Sequence, residues 1–145
     1  MSIENDKYGQ IYRFKVTIDE IEAGDFREAS GLTVQREVVE YHEGGENTRH
    51  HKLVGPTRFS NIVLRRGTSS STDLFDWVKK AIDGVVERKN GSIIALTRSG
   101  DPLCRWDFKN AWPCRYEGPN FVSGESETAI EVIELAHDGF EMKNG

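Results

Sequence analysis

Histidine is the first place to look for chemistry, because three of the four histidines, His42, His50 and His51, share one stretch. A zinc site needs three or four ligands of matched type at His/Cys spacing. Here Glu43 and Glu46 stand near the imidazoles, and both cysteines, Cys104 and Cys114, lie far along the chain. The ligand set is incomplete, so the stretch reads as an exposed polar loop and not as a metal site. The two cysteines are close enough to close a short loop. Met1 to Gln10, however, is polar and mixed in charge. It lacks the basic-then-apolar pattern of an export signal. Two thiols in such a chain read as reduced and partly buried. Nucleophile and phosphate motifs are absent: there is no Gly-x-Ser-x-Gly elbow, and no Gly-x-Gly-x-x-Gly or Walker-type loop. Ser69-Ser70-Ser71 reads as linker and cap. Asn90-Gly91-Ser92 matches a glycosylation acceptor, but a helix stop is the better-supported reading. Trp106, Phe108 and Trp112 have the chemistry to stack on bases or sugars; at strand spacing they read as one core face. The expectation is therefore no catalytic residue, no metal and no cofactor: not an enzyme.

The elements that would position these residues are mostly strands. Tyr12, Phe14, Val16 and Ile18 alternate with Arg13, Lys15, Thr17 and Asp19, the period of a strand with one apolar face. After a turn near Ala23-Gly24-Asp25, residues 26–34 carry a bend at Ser30-Gly31. Val34 to Tyr41 is a strand rich in valine and charge. His42-Glu43-Gly44-Gly45-Glu46-Asn47-Thr48-Arg49-His50-His51-Lys52 follows without an apolar residue. That loop cannot feed a core. It must be solvated or bound to something else. Leu53-Val54-Gly55-Pro56 reads as a return to buried chain, and residues 59–66 alternate again.

One helix is expected, with Thr72 or Asp73 as N-cap. Leu74, Trp77, Val78, Ala81, Ile82 and Val85 form a single helical stripe, and Asn90-Gly91 stops it. Residues 93–97 and 104–112 then make a hairpin across Ser99-Gly100-Asp101-Pro102. Residues 113–126 read as irregular. Thr128 to His137 is the last expected strand. Its apolar residues change phase between Val132 and Ile133, which requires either a bulge or two covered faces. The sum is six or seven strands and one helix: mainly β, an antiparallel β-sandwich or barrel with one flanking α-helix.

A chain of 145 residues fits one domain spanning residues 1–145, with a flexible N-terminus over about residues 1–10 and an extended loop at 42–52. No apolar run approaches the roughly 18 residues of a membrane span, so no membrane anchor is expected. A net charge of −5 argues against a dedicated nucleic-acid binder. It leaves room for a partner that slides past without sticking.

The ordered set of segments carries a resemblance. It runs through Tyr12-Arg13-Phe14-Lys15-Val16, Ala29-Ser30-Gly31-Leu32 and Val39-Glu40-Tyr41-His42-Glu43-Gly44-Gly45. Leu53-Val54-Gly55-Pro56, Ile62-Val63-Leu64-Arg65-Arg66-Gly67 and Leu74-Phe75-Asp76-Trp77-Val78 continue it. Trp106-Asp107-Phe108-Lys109-Asn110-Ala111-Trp112-Pro113 and Ile130-Glu131-Val132-Ile133-Glu134-Leu135 complete it. The chain resembles the T-even-like phage tail-tube family, which includes the inner-tube proteins of extracellular contractile injection systems. The resemblance implies the tail-tube fold, a non-catalytic structural role, and homohexameric rings stacked into a hollow tube. The implied partners are copies of itself, a surrounding sheath protein, baseplate or adaptor and terminal cap proteins, and cargo protein or DNA in the lumen. It also implies assembly in the bacterial cytoplasm and incorporation into a virion or a released injection particle. In the family an extended hairpin at this position reaches the adjacent ring, so the loop from His42 to Lys52 is expected to join rings. Two other readings remain open on residues alone: a tube-initiator or adaptor paralogue, and a monomeric β-barrel that binds a small apolar ligand.

Overall fold

The computed structural model describes residues 11, 13–21, 26–41, 51–124 and 129–145. Among these the chain forms nine strands and one helix: β1 (Arg13–Ile18), β2 (Phe26–Ser30), β3 (Val34–Tyr41), β4 (His51–Phe59), β5 (Ile62–Gly67), α1 (Asp73–Ile82), β6 (Lys89–Leu96), β7 (Pro102–Glu117), β8 (Ile130–Ala136) and β9 (Phe140–Asn144). The pairings are antiparallel, in the order β1-β6-β7-β8-β5-β2, with β9 alongside β7. The two ends of this order come into contact, since β1 meets β2. The sheet thus curls into a barrel with a seam. The mainly β class with a single flanking helix is the one the sequence suggested.

Alternation fills the barrel. Val16 and Ile18 from β1, Ile62 and Leu64 from β5, Ile93 from β6 and Ile133 and Leu135 from β8 join one cluster. Each such side chain contributes about 1.5–3 kcal/mol through removal from water. Val132 is buried as well, and β8 pairs with β5 without a register shift. Of the two explanations for the phase change, covered faces is the correct one.

Three local expectations are corrected. The helix ends at Ile82, not at Asn90-Gly91. Gly84 adopts φ +94°, its N–H bonds to Ala81 O (3.2 Å), and Val85 N–H bonds to Lys80 O (2.8 Å). This is a Schellman closure, which a residue without Cβ makes at no steric cost. Leu74, Trp77 and Val78 are buried, whereas Ile82 and Val85 from the same stripe are exposed. Asn90 and Gly91 instead lie in β6. A Cβ on Gly91 would stand 2.4 Å from Phe108 Cζ and 2.5 Å from Thr17 O, so the glycine is required by close packing.

The second correction concerns β7. Asn110 takes φ +53°, and the register against β6 shifts between Lys89–Ala111 and Gly91–Phe108. The bulge flips the alternation. Phe108, Ala111 and Pro113 are buried, and Trp106 and Trp112 are only half-buried. The three aromatics therefore do not form one core face. Thirdly, β7 stays extended to Glu117 because β8 pairs with Trp112–Glu117, so residues 113–117 are not irregular. β7 changes neighbours at the bulge: β9 flanks Cys104–Phe108, and β8 takes over beyond it. β9 was not anticipated; Phe140-Glu141-Met142-Lys143-Asn144 is short, and its charges mask the alternation.

Candidate assembly interface

β3 and β4 pair only with each other, as a two-stranded ribbon outside the barrel sheet. Every residue of β3 is exposed. Leu53 and Val54 are exposed as well, 51% and 72%, which corrects the expectation that they re-enter the core. The register explains how both sides become apolar. Val38 faces Val54 and Glu40 faces Lys52 on one side; Val39 faces Leu53 and Tyr41 faces His51 on the other. The register shift between Arg36 and Val38 twists the ribbon further. Arg58 and Glu37 pair at 3.6 Å, and Arg36 Nε donates to Thr57 Oγ1 at 3.0 Å. Both contacts are exposed, and exposed pairs stabilise little. A two-stranded ribbon is marginal in water by itself. One that is apolar on both sides is built to lie between surfaces.

At the root of the ribbon, where Val34 pairs with Phe59, the barrel opens into a cleft of about 610 Å³. Phe59, Phe108 and Phe140 line it, and Phe59 meets Phe140 edge-on with centroids 5.1 Å apart. Asp19, Asp107, Asp138 and Glu141 also line it, against Arg105 and Lys109. The cleft is therefore aromatic within and acidic around its edge.

One wall of the cleft is the outer face of β1, β6, β7 and β9. Their registers align Thr17, Ser92, Asp107 and Glu141 in one row, and Lys15, Ile94, Arg105 and Lys143 in the next. Asp107 gathers this face. It accepts from Ser92 Oγ (2.5 Å) and Arg105 Nε (2.8 Å) and pairs with Lys143 Nζ (3.3 Å). Those donors, Ser92 first and Arg105 next, pull its carboxyl down to about 2 from an ordinary 3.8.

Inside the barrel, Arg66 and Glu131 stand opposite each other on β5 and β8 and form a buried ion pair. Tyr116 Oη donates to Glu131 Oε2 (2.7 Å), and Arg66 lies 6.0 Å from the Phe26 ring centroid. Burial, then the bond to Glu131, pushes the Tyr116 phenol up to about 12. Sequence pattern could not reveal this pair, because Arg66 and Glu131 look like solvated positions on charged strands. Cys104 and Cys114 both lie on β7, ten residues apart in number and so roughly 30 Å apart along an extended strand. That is far beyond disulfide reach. Burial, then the neighbouring Glu134, pushes the Cys114 thiol up and makes it a poor nucleophile.

Of the residues singled out in sequence, His51 and Lys52 are placed in β4, opposite Tyr41 and Glu40. The expected loop is accordingly shorter: its last two residues belong to the ribbon. His42, Glu43, Gly44, Gly45, Glu46, Asn47, Thr48, Arg49 and His50 lie outside the described residues. Among the described residues no three His, Cys, Asp or Glu side chains group as a metal site, and no helix is long and apolar enough to cross a membrane. Sequence reasoning missed both the two-sided apolar ribbon and the cleft. The signal for the ribbon was present: Val38-Val39 and Leu53-Val54 are adjacent apolar pairs, which a strand must point in opposite directions.

Comparison with known proteins decides what this architecture is. Residues 10–141 match the model of the T4-like virus tail tube protein gp19 family. The chain belongs to that family. No curated protein sequence matches it. Among solved structures, the sheath-tube complex of the extracellular contractile injection system PVC, in its extended state, is similar to the chain at 29% identity. The TM-score is 0.85, over 100% of this chain and 99% of that one. The tube-terminating cap structure of the anti-feeding prophage is similar at 28% identity and TM-score 0.79, over 100% of both chains. Hcp1 from Flavobacterium johnsoniae, at 21% identity and TM-score 0.57 over 92% of this chain and 97% of that one, shares the fold. The chain is a structural subunit of a tail tube, and its family implies a non-enzymatic role.

Proposed function

We propose that the chain is the repeating subunit of the hollow inner tube of an extracellular contractile injection particle. Six copies close a ring, rings stack into a tube, a sheath surrounds it, and baseplate or adaptor and cap proteins terminate it. The observation that carries assembly is the β3–β4 ribbon, whose two apolar sides lack cover in the single chain. Similarity to PVC and anti-feeding prophage structures supports an injection particle over a phage tail, and protein over DNA as cargo. The residues from His42 to Lys52, which connect β3 to β4 in sequence, join one ring to the next. Glu43 and Glu46 precede Arg49 and Lys52, so the segment carries both signs and can complement a translated copy. The tube is made in the cytoplasm and leaves as part of the particle. It performs no catalysis and holds no cofactor.

A terminal subunit that starts or caps the tube is the second reading, favoured by 31% identity to a chain of the PVC sheath/tube terminator structure. Copy number in purified particles separates the two. The assembly reading is tested by microscopy and sedimentation of the purified chain: rings of six and longer tubes are expected. A monomer across a wide concentration range, without particles, would overturn it.

A further inference from the structure

We propose that the buried cluster of Arg66, Glu131 and Tyr116 is a register lock. It fixes how β8 is threaded between β5 and β7, a choice that the aliphatic residues of β8 leave open.

The need for a lock comes from the sequence of β8. Ile130-Glu131-Val132 and Ile133-Glu134-Leu135 are near-copies of each other. Val132 is buried on one face of the strand, and Ile133 and Leu135 on the other. Register is firmly specified where one face is apolar and the other wet, because a slip then exposes the apolar set. β8 lacks that safeguard. In the observed register Ile62 faces Leu135, Leu64 faces Ile133 and Arg66 faces Glu131. Sliding β8 by two residues in one direction sets Leu64 against Leu135 and Arg66 against Ile133. The other direction sets Ile62 against Ile133 and Leu64 against Glu131. Aliphatic contact survives in part in both slips. Neither keeps a carboxylate opposite Arg66.

The geometry makes that loss decisive. Arg66 and Glu131 are 4% and 7% exposed. One carboxylate oxygen of Glu131 accepts from Arg66 Nε, and the other accepts from Tyr116 Oη at 2.7 Å. Phe75 of α1 meets the Tyr116 ring edge-on at 5.2 Å, and Phe26 lies beside the Arg66 guanidinium. Phe26, Arg66, Glu131 and Tyr116 come from β2, β5, β8 and β7, four neighbours in sheet order, so one cluster aligns the whole row. A buried ion pair adds little stability over well-packed apolar residues of similar volume, but parting it is strongly unfavourable. Such a pair selects one arrangement more than it deepens it. The outer surface depends on the choice. Asn61 Nδ2 donates to Glu134 Oε2 at 3.1 Å, a contact that either slip would break. A repeating subunit must present the same surface in every copy.

The test replaces charge by volume. In a chain with Cys104→Ser and Cys114→Ser, the changes Arg66→Met, Glu131→Leu and Tyr116→Phe remove the cluster without leaving a buried charge or hydroxyl unpaired. Register is read by cysteine pairs on β5 and β8, introduced one pair at a time and oxidised mildly in the folded chain. Arg65→Cys with Val132→Cys reports the observed register. Val63→Cys with Ala136→Cys, and Arg65→Cys with Ile130→Cys, report the two slips, because opposite residues come within disulfide reach and diagonal ones stand about 7–8 Å apart. With the cluster intact only the first pair should close. Without it the slipped pairs should close at least about tenfold more, since the parted ion pair no longer opposes them. If the apolar variant does not fold, Glu131→Gln carries the test: it keeps the shape and an acceptor for Tyr116, removes the charge, and should raise the slipped cross-links in the same direction. A folded variant that cross-links only between positions 65 and 132, as the parent does, would overturn the lock. The cross-links form within one chain, so the outcome is independent of tube growth.

Discussion

The barrel and the ribbon are made from the same stock of valine, leucine and charge, yet one is closed and the other open. In β5 and β8, alternate apolar residues disappear completely: Ile62, Leu64 and Leu135 are 0% exposed. In β3 and β4, residues of the same type remain in water, with Val54 at 72%. Strand patterning states which side chains are to be buried, not by whom. A single chain satisfies that demand in the barrel and leaves it unsatisfied in the ribbon. On the proposed tube reading, the difference between what the pattern asks and what the lone chain covers marks the surface offered to other copies. Ile82, the last residue of α1, and Val85, just past its closure, are likewise apolar and exposed.

The sharpest way to break the comparison is to damage the barrel at its buried ion pair. Glu131→Ala leaves the Arg66 guanidinium buried without its carboxylate and takes the acceptor from Tyr116 Oη. The expected loss is about 3–5 kcal/mol of chain stability, the usual cost of removing one partner of a buried pair. Leu135→Ala should cost about 2–5 kcal/mol through the cavity it leaves. Urea unfolding of the isolated chain measures both. Losses under about 1 kcal/mol would mean that the barrel interior is far looser than its burial indicates.

The ribbon should respond in the opposite way. Val38→Ser, Leu53→Ser and Val54→Ser together change exposed positions, so the stability of the isolated chain should shift by no more than about 0.5 kcal/mol each. Assembly should nevertheless fail, because each side chain loses about 1.5–3 kcal/mol of burial available in a contact. Unfolding and sedimentation on the same samples separate the two effects. A triple variant that assembles like the parent would show that the ribbon is not an interface.

Legibility in sequence follows the same division. The barrel strands were readable where one face is buried and the other wet, as in β1 and β5. The helix was found, but its end was misplaced, because Asp83-Gly84 sits inside a continuing apolar stripe and only the left-handed geometry of Gly84 shows the stop. β7 was misread at Asn110: one residue in the left-handed region reverses the alternation, and a pattern of side chains cannot display that. The ribbon was found as strands and misjudged as core, since Leu53-Val54 does not say whether its cover comes from the same molecule. The cleft was invisible for a different reason. Asp19, Phe59, Asp107 and Glu141 come from four strands or their ends, and only the barrel brings them together.

The smallest expected effect belongs to the polar outer face of the barrel. The Asp107 carboxyl has its pKa lowered to about 2 in the folded chain by Ser92, Arg105 and Lys143, against an ordinary value of 3.8. The folded state thus binds a proton less readily than the unfolded one. Its contribution to stability is complete above about pH 4 and is lost as pH falls through 2. Asp107→Asn removes that dependence, so the gap in melting temperature between parent and variant should be widest near pH 5–7 and close towards pH 2. The gap should be small, because the site is partly exposed and its ion pairs are screened, and it should narrow further in high salt. A gap that stays constant from pH 6 to pH 2 would mean that Asp107 acts through shape alone. The same variant sharpens the comparison of regions. Its carboxylate is engaged on the barrel wall by Ser92, Arg105 and Lys143. Asp107→Asn tubes should therefore keep parental length at neutral pH.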